Sequence, residues 1–230
     1  MKIRESLKSL TKFERCLWLV SAVVVTGAFF IFKSTDYLTL SASLIGVTAL
    51  IFLAKGYAIG QVLIIIFSLF YGYISFRFRY YGEIITYICM TLPMAVVALV
   101  SWIKHPYKDS SEVEVSKLTK KQIGLMCLSA AGVTVAFYFI LKALGNANLF
   151  FSTISITTSF VAAYMTALRS PYYALGYASN DLVLIVLWIL AAKEDISSVS
   201  MIFCFITFFV NDMYGFINWK KMEQRQKNAS

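Results

Sequence analysis

Residues 172–219 read YYALGYASNDLVLIVLWILAAKEDISSVSMIFCFITFFVNDMYGFINW. Two long apolar runs flank a short polar break, Lys193-Glu194-Asp195. A bilayer core about 30 Å thick needs about 20 helical residues, and each run is that long. Alternating strands of about ten residues would mark a barrel instead. These runs are continuous, so helices are the way to satisfy the backbone in lipid.

Working outward, six more apolar stretches precede this pair. The eight predicted spans cover residues 16–32, 38–54, 57–76, 82–103, 122–141, 147–168, 172–192 and 197–218. The separators are short and polar, apart from a charged segment over 104–121. Composition agrees: 59% of the 230 residues are hydrophobic, 14% are charged, and the mean hydropathy is +0.72. A soluble domain has about 45–50% apolar and about 25% charged residues. The excess excludes a disulfide scaffold, a disordered regulator and an ordinary cytosolic enzyme.

The net charge of +9 does not call for nucleic acid. With eight spans both termini share a side. Of the 21 Lys and Arg, sixteen fall on that side, among them Lys2, Arg4, Lys8, Lys12, Arg15, Lys55, Arg169 and Lys220. The other five are Lys33, Arg77, Arg79, Lys142 and Lys193. The positive-inside rule then predicts both termini in the cytoplasm. Cys16, Cys89, Cys127 and Cys204 stand in separate apolar stretches without metal or redox spacing. No phosphate loop, zinc motif or paired histidine occurs, and no cofactor is expected.

A weak internal repeat adds an expectation. Leu53-Ala54-Lys55-Gly56-Tyr57 and Leu168-Arg169-Ser170-Pro171-Tyr172 lie within two three-helix units, which end around Trp102 and Trp219. Four helices separate the two starts, so the units run the same way. The predicted fold class is an all-α integral membrane protein with two parallel three-helix repeats, a linker helix and an extra first helix. The divisions are residues 1–37, 38–103, 104–146, 147–219 and 220–230. Such architectures place their site between the halves.

Polar residues within spans are costly and are functional suspects. Asn180 and Asp181 interrupt the seventh span; Asn211, Asp212 and Asn218 interrupt the eighth; Gln61 and Ser68 stand on the third. Asn180, Leu184 and Trp188 share a helical face, as do Asn211, Tyr214 and Asn218. The candidate substrate-binding set is Gln61, Asn180, Asp181, Trp188, Asn211 and Tyr214. Amides and Asp181 can take polar groups of a ligand, and Trp188 can stack on a flat ring. The Ser/Thr run over 152–159 reads as bonding between helices. Trp102 and Trp219 read as interfacial belt anchors. Pro93 predicts a kink in the fourth span. Gly56 and Gly60 have the spacing of a close helix contact.

The stretch ending Asn211-Asp212-Met213-Tyr214-Gly215-Phe216-Ile217-Asn218-Trp219, with Asn180-Asp181 and Leu187-Trp188-Ile189, resembles the PnuC-type nicotinamide riboside transporters. YYGEIITY over 80–87 and Trp102 resemble the end of that family's first repeat. The resemblance spans roughly residues 38–221. It implies an inner-membrane importer of nicotinamide riboside or a similar vitamin or nucleoside, usually a homotrimer. It also implies facilitated diffusion, with a cytoplasmic kinase trapping the product by phosphorylation. Alternative cargoes are deoxynucleosides, thiamine and riboflavin. The first repeat ends MTLPMAVVALVSW, without the Gly-Trp pairing of a typical nicotinamide riboside carrier, which leaves the cargo open within the class. A membrane enzyme or sensor subunit is the reading from another class, but no nucleophile, metal set or output domain marks one.

Overall fold

The structure, a computed structural model, describes residues 9–77, 81–108, 110–146 and 148–229. Lys2, Arg4, Lys8 and Arg79 from the charge count lie outside the described residues. Eight helices among those described are long and apolar enough to cross a membrane. They are α1 (Lys12–Ile31), α2 (Tyr37–Ala54), α3 (Ala58–Arg77), α4, α5 (Lys120–Ala143), α6 (Leu149–Ala167), α7 (Tyr173–Ala192) and α8 (Val199–Asn228). Helix α4 is composite: a turn over Tyr81–Ile84, a π-helical stretch over Ile85–Thr91, then α-helix over Leu92–Lys104. The expected kink at Pro93 thus takes the form of a widened helix just before it. Proline has no N–H and its ring crowds the carbonyl four residues back, which disfavours a regular α-turn there.

Two starts are written in the local sequence. Thr11 and Glu14 form a reciprocal capping box on α1, and Thr119 and Gln122 form one on α5. Each satisfies backbone N–H groups that a helix start leaves open. At the other extreme, α8 runs past the expected boundary at Trp219 to Asn228.

The helices pack with a regular exchange. Helix α2 lies along α3 and α3 along α4; α6 lies along α7 and α7 along α8. Across the middle, α2 meets α8 and α4 meets α6. Helix α5 touches α6 and buries only Ala130 and Leu141, so its remaining surface is left for lipid or a partner. Helix α1 lies against α2 and α8.

Side chains repeat that exchange at one end of the bundle, here called the terminal end. The Trp102 indole N–H donates to the Thr166 carbonyl at 2.9 Å, and the Trp219 indole N–H to the Leu53 carbonyl at 2.8 Å. The residues just before them do the same one step on: the Ser101 hydroxyl to Ala167 (2.7 Å) and the Asn218 amide to Ala54 (2.8 Å). The two indoles touch, with ring centres 5.3 Å apart. These tryptophans are not belt residues. They are 2% and 0% exposed, because each satisfies a carbonyl that a helix C-terminus leaves unpaired. By these bonds Leu53 corresponds to Thr166, two residues earlier than the sequence pairing with Leu168. Gly56 and Arg169, both at positive φ, then close equivalent turns.

The charged segment after α4 straps this end. Val113 N–H donates to Gly56 carbonyl (2.9 Å) and Ser116 N–H to Arg169 carbonyl (3.0 Å). The Gln226 side chain of α8 accepts from Val115 N–H and donates to Val113 carbonyl, and Arg225 pairs with Glu112. Burial pulls the Arg169 guanidinium below its ordinary pKa, while Glu114 at 3.7 Å opposes the shift.

Trp219→Phe keeps the ring but strips the donor from a buried carbonyl. It should destabilise the protein by about 1–3 kcal/mol, the cost of an unpaired buried polar group. A thermal unfolding midpoint in detergent unchanged from wild type would contradict this.

Candidate transport cavity

A cavity of about 200 Å³ lies between the two halves. Its lining comes from α2 to α8, and none of the described lining residues belongs to α1. It runs from Leu53 and Thr166, whose carbonyls the tryptophans hold, toward Glu83, Asn146 and Leu187 at the opposite end. The walls are largely apolar and aromatic, with Phe67, Tyr87, Tyr177, Phe205 and Phe208 among them. Gly46 leaves room for this packing: a Cβ there would meet the Phe208 ring at 2.6 Å.

Polar groups are few and placed. The α7 residues Asn180 and Asp181, second and third turns in, both reach the cavity and are 6% and 4% exposed. The Asn180 Oδ1 accepts from the Ser155 hydroxyl (3.0 Å) and the Thr158 hydroxyl (2.9 Å) of α6. Those two bonds orient the amide and leave its N–H donors for the cavity. Gln61, from the first turn of α3, is 2% exposed, and its Nε2 has no partner. Asp181 Oδ2 likewise has none. Buried polar atoms without hydrogen-bond partners are rare; of the four among the described residues these two line the cavity, the others being Arg169 Nη1 and Asn211 Oδ1. Asp212 of α8 and Glu83 of α4 also line it. Glu83 is exposed at the rim and accepts from Ser75 at 3.1 Å. Among the described lining residues there is no Lys, Arg or His.

The six residues expected from sequence therefore divide. Gln61, Asn180 and Asp181 meet in the cavity. Trp188 is partly buried and packs on the core one turn beyond Leu184, but does not line the cavity. Asn211 and Tyr214 do share a face with Asn218, and that face turns elsewhere. Asn211 Nδ2 donates to the Ser21 hydroxyl of α1 at 2.9 Å, and the Tyr214 hydroxyl donates to Glu14 of α1 at 2.9 Å. The physical reason is helical phase: neighbours on a helix point about 100° apart. With Asn211 against α1, its neighbour Asp212 takes the cavity side.

Sequence reasoning named Asp212 as a suspect but left it out of the candidate set, and it passed over Glu83. An intramembrane carboxylate was the available signal for both. The Ser/Thr run of α6 does bond between helices: Thr157 pairs with Thr134 of α5 at 2.7 Å. Two of its members also set the angle of Asn180. Gly60 makes the expected close approach, since a Cβ there would lie 2.8 Å from the Leu53 backbone nitrogen.

Known proteins share both sequence and shape. The chain is 27% identical over 228 residues to the nicotinamide riboside transporter PnuC of Neisseria mucosa, covering 96% of this chain and 86% of that one. It is 19% identical over 212 residues to the nicotinamide riboside transporter PnuC of Haemophilus influenzae, covering 91% and 90%. A crystal structure of the vitamin B3 transporter PnuC superposes with a TM-score of 0.80, at 24% identity, over 95% of this chain and 94% of that one. At that identity the likeness shows the fold. The sequence also matches the nicotinamide mononucleotide transporter family over residues 36–221, all but the first helix and the tail. The protein belongs to the nicotinamide mononucleotide transporter family.

Proposed function

We propose that the protein carries nicotinamide riboside, or a closely similar nucleoside or vitamin, into the cytoplasm by facilitated diffusion. The observation that carries this reading is the cavity's lining: aromatic walls, amide donors, three carboxyl groups, and no cationic side chain among the described residues. A flat ring suits the walls, a carboxamide and ribose hydroxyls suit Asn180 and Gln61, and a pyridinium charge suits the carboxyls. A phosphate finds no partner there, so the nucleoside fits better than its mononucleotide. Both relatives above are named for nicotinamide riboside. Thiamine, also cationic, and deoxynucleosides are the alternative cargoes.

In this reading a cytoplasmic kinase traps the cargo by phosphorylation, and the protein works as a homotrimer in the inner membrane. Both termini lie in the cytoplasm, as the charge count supports, which puts the tryptophan-held floor on the cytoplasmic side. Trp188 lies one turn from the lining and would reach a bound ring only if α7 shifts during transport. Asn211 and Tyr214 would serve by holding α8 on α1.

The test is uptake of labelled nicotinamide riboside into proteoliposomes, with nicotinamide mononucleotide, thiamine and deoxynucleosides as competitors. Saturable uptake is expected, competed by the riboside and not by the mononucleotide, with an initial rate unchanged when proton and sodium gradients are collapsed. Uptake no faster than in empty liposomes would refute transport. Competition by the mononucleotide as strong as by the riboside would refute the reading of the lining.

A further inference from the structure

We propose that Gly46 sets a size limit on the ring that the cavity accepts. Lacking a side chain, it seats the Phe208 ring against the α2 backbone, and the aromatic collar this makes takes a single six-membered ring and turns away a fused one. The inference rests on the transport reading above and narrows its cargo to ligands whose flat part is monocyclic.

Three helices meet at the collar. Gly46 comes from α2, Phe67 from α3 and Phe208 from α8, and all three line the cavity. Gly46 lies eight residues before the end of α2, Phe67 nine after the start of α3, and Asn180 seven after the start of α7. At about 1.5 Å per residue, each is roughly 10–14 Å from the terminal end. The collar therefore stands level with the Asn180 amide. A ring held at the aromatic faces has a hydrogen-bonding group at its own depth, which suits an aryl carboxamide.

The rings have little slack away from the cavity. Phe67 packs on Tyr71 with ring centres 4.6 Å apart, and Tyr71 does not line the cavity, so it backs Phe67 from outside. Tyr87 of α4 stands 6.1 Å from Phe67. Phe208 has Phe205 edge-on at 5.6 Å and Phe67 at 6.3 Å. Phe67, Tyr71 and Phe208 are all buried. Rings in such contact cannot be pressed closer in an interior packed like a crystal.

A Cβ on Gly46 would stand 2.6 Å from Phe208 Cζ and 3.0 Å from Phe67 Cε2. Carbon atoms at rest against each other are about 3.5–4.0 Å apart. One methyl here has to displace both rings, and the open space beside them is the cavity. Glycine thus fixes how far the rings stand back. The space they leave is small. The whole cavity is about 200 Å³, against about 300–1,000 Å³ for typical ligand sites, and it must also take the sugar of a nucleoside.

The experiment measures binding to the purified full-length protein in detergent. The probes are nicotinamide riboside and its quinolinium counterpart, which has the same charge, carboxamide and sugar and adds one fused benzene ring. A single methylene is worth about 10- to 200-fold in an apolar pocket, so wild type should prefer the single ring by about 100-fold or more. Phe208→Leu opens the collar and should narrow that ratio by about tenfold or more, by strengthening the fused-ring ligand. Gly46→Ala should weaken nicotinamide riboside by about 5- to 150-fold, the range for one methyl forced into filled space. Gly46→Ala with Phe208→Leu should bind it within about threefold of Phe208→Leu alone, because the ring that the methyl displaces is gone. A Gly46→Ala loss that persists in the Phe208→Leu background means that the glycine acts through something else, and overturns the proposal. A Phe208→Leu protein with the wild-type ratio overturns it too. Should Gly46→Ala not fold, the Phe208→Leu ratio decides; should neither variant fold, the wild-type ratio does. If wild type binds both probes alike, the size limit falls and the transport reading stands. If it binds neither, the transport reading falls and takes the size limit with it.

Discussion

Glu14→Ala is expected to lower stability in detergent by about 3–5 kcal/mol, the range for breaking a buried ion pair by removing one partner. Glu14 is 2% exposed. It accepts from the Thr11 N–H (2.6 Å), from both approaches of Lys55 Nζ (3.1 and 3.2 Å) and from the Tyr214 hydroxyl (2.9 Å). One carboxylate therefore caps α1, neutralises the cation just after α2, and ties α8 to both. Its loss strands Lys55, whose side chain is 12% exposed and keeps the Ser9 carbonyl at 3.2 Å and the face of the Tyr57 ring at 5.7 Å. The control is Glu14→Ala with Lys55→Met, which removes both charges and should recover part of the loss. The readout is the thermal unfolding midpoint of each variant beside wild type. A Glu14→Ala protein as stable as wild type, or a double variant worse than the two singles summed, would refute the account.

That cluster also shows how far sequence reasoning reached. Thr11-x-x-Glu14 is a local pattern that marks a helix start at Lys12, but the apolar run alone opened the expected first span at residue 16. Thr119-x-x-Gln122 is a pattern of the same kind. The eight apolar stretches were legible because lipid imposes length and continuity on each span. Asn180 and Asp181 were legible because a mid-span amide and acid demand a reason. What Glu14 does for Lys55 and Tyr214 was not legible, since those partners lie 41 and 200 residues away. Trp102 and Trp219 failed for the same cause. A tryptophan near a span end has one appearance in sequence, whether it faces headgroups or a carbonyl 64 or 166 residues away. Asn211 and Asp212 posed a third kind of problem. Both are polar, they are adjacent, and an apolar helix in lipid has no polar outer face to set its rotation. Only the docking of α1 onto α8 decides that Asn211 turns outward and Asp212 inward.

Asn180→Ala is expected to weaken nicotinamide riboside binding by about 1–3 kcal/mol, because a polar group of the buried ligand loses its partner. The amide is not merely near the cavity; it is aimed. Ser155 and Thr158 donate to its Oδ1 from α6, so the N–H pair can point at a ligand acceptor such as a carboxamide or ribose oxygen. Aiming predicts a second result that plain proximity does not. Ser155→Ala with Thr158→Val leaves Asn180 in place but removes both donors. The amide is then free to rotate, and affinity should fall by an amount similar to a lost hydrogen bond, about 0.5–1.5 kcal/mol. In the Asn180→Ala background the same pair of substitutions should cost little more, since there is no amide left to aim. A double-mutant cycle on ligand affinity measures that coupling. If the α6 substitutions weaken binding equally with and without Asn180, then Ser155 and Thr158 act on the ligand directly or on the fold, and Asn180 is held by something else.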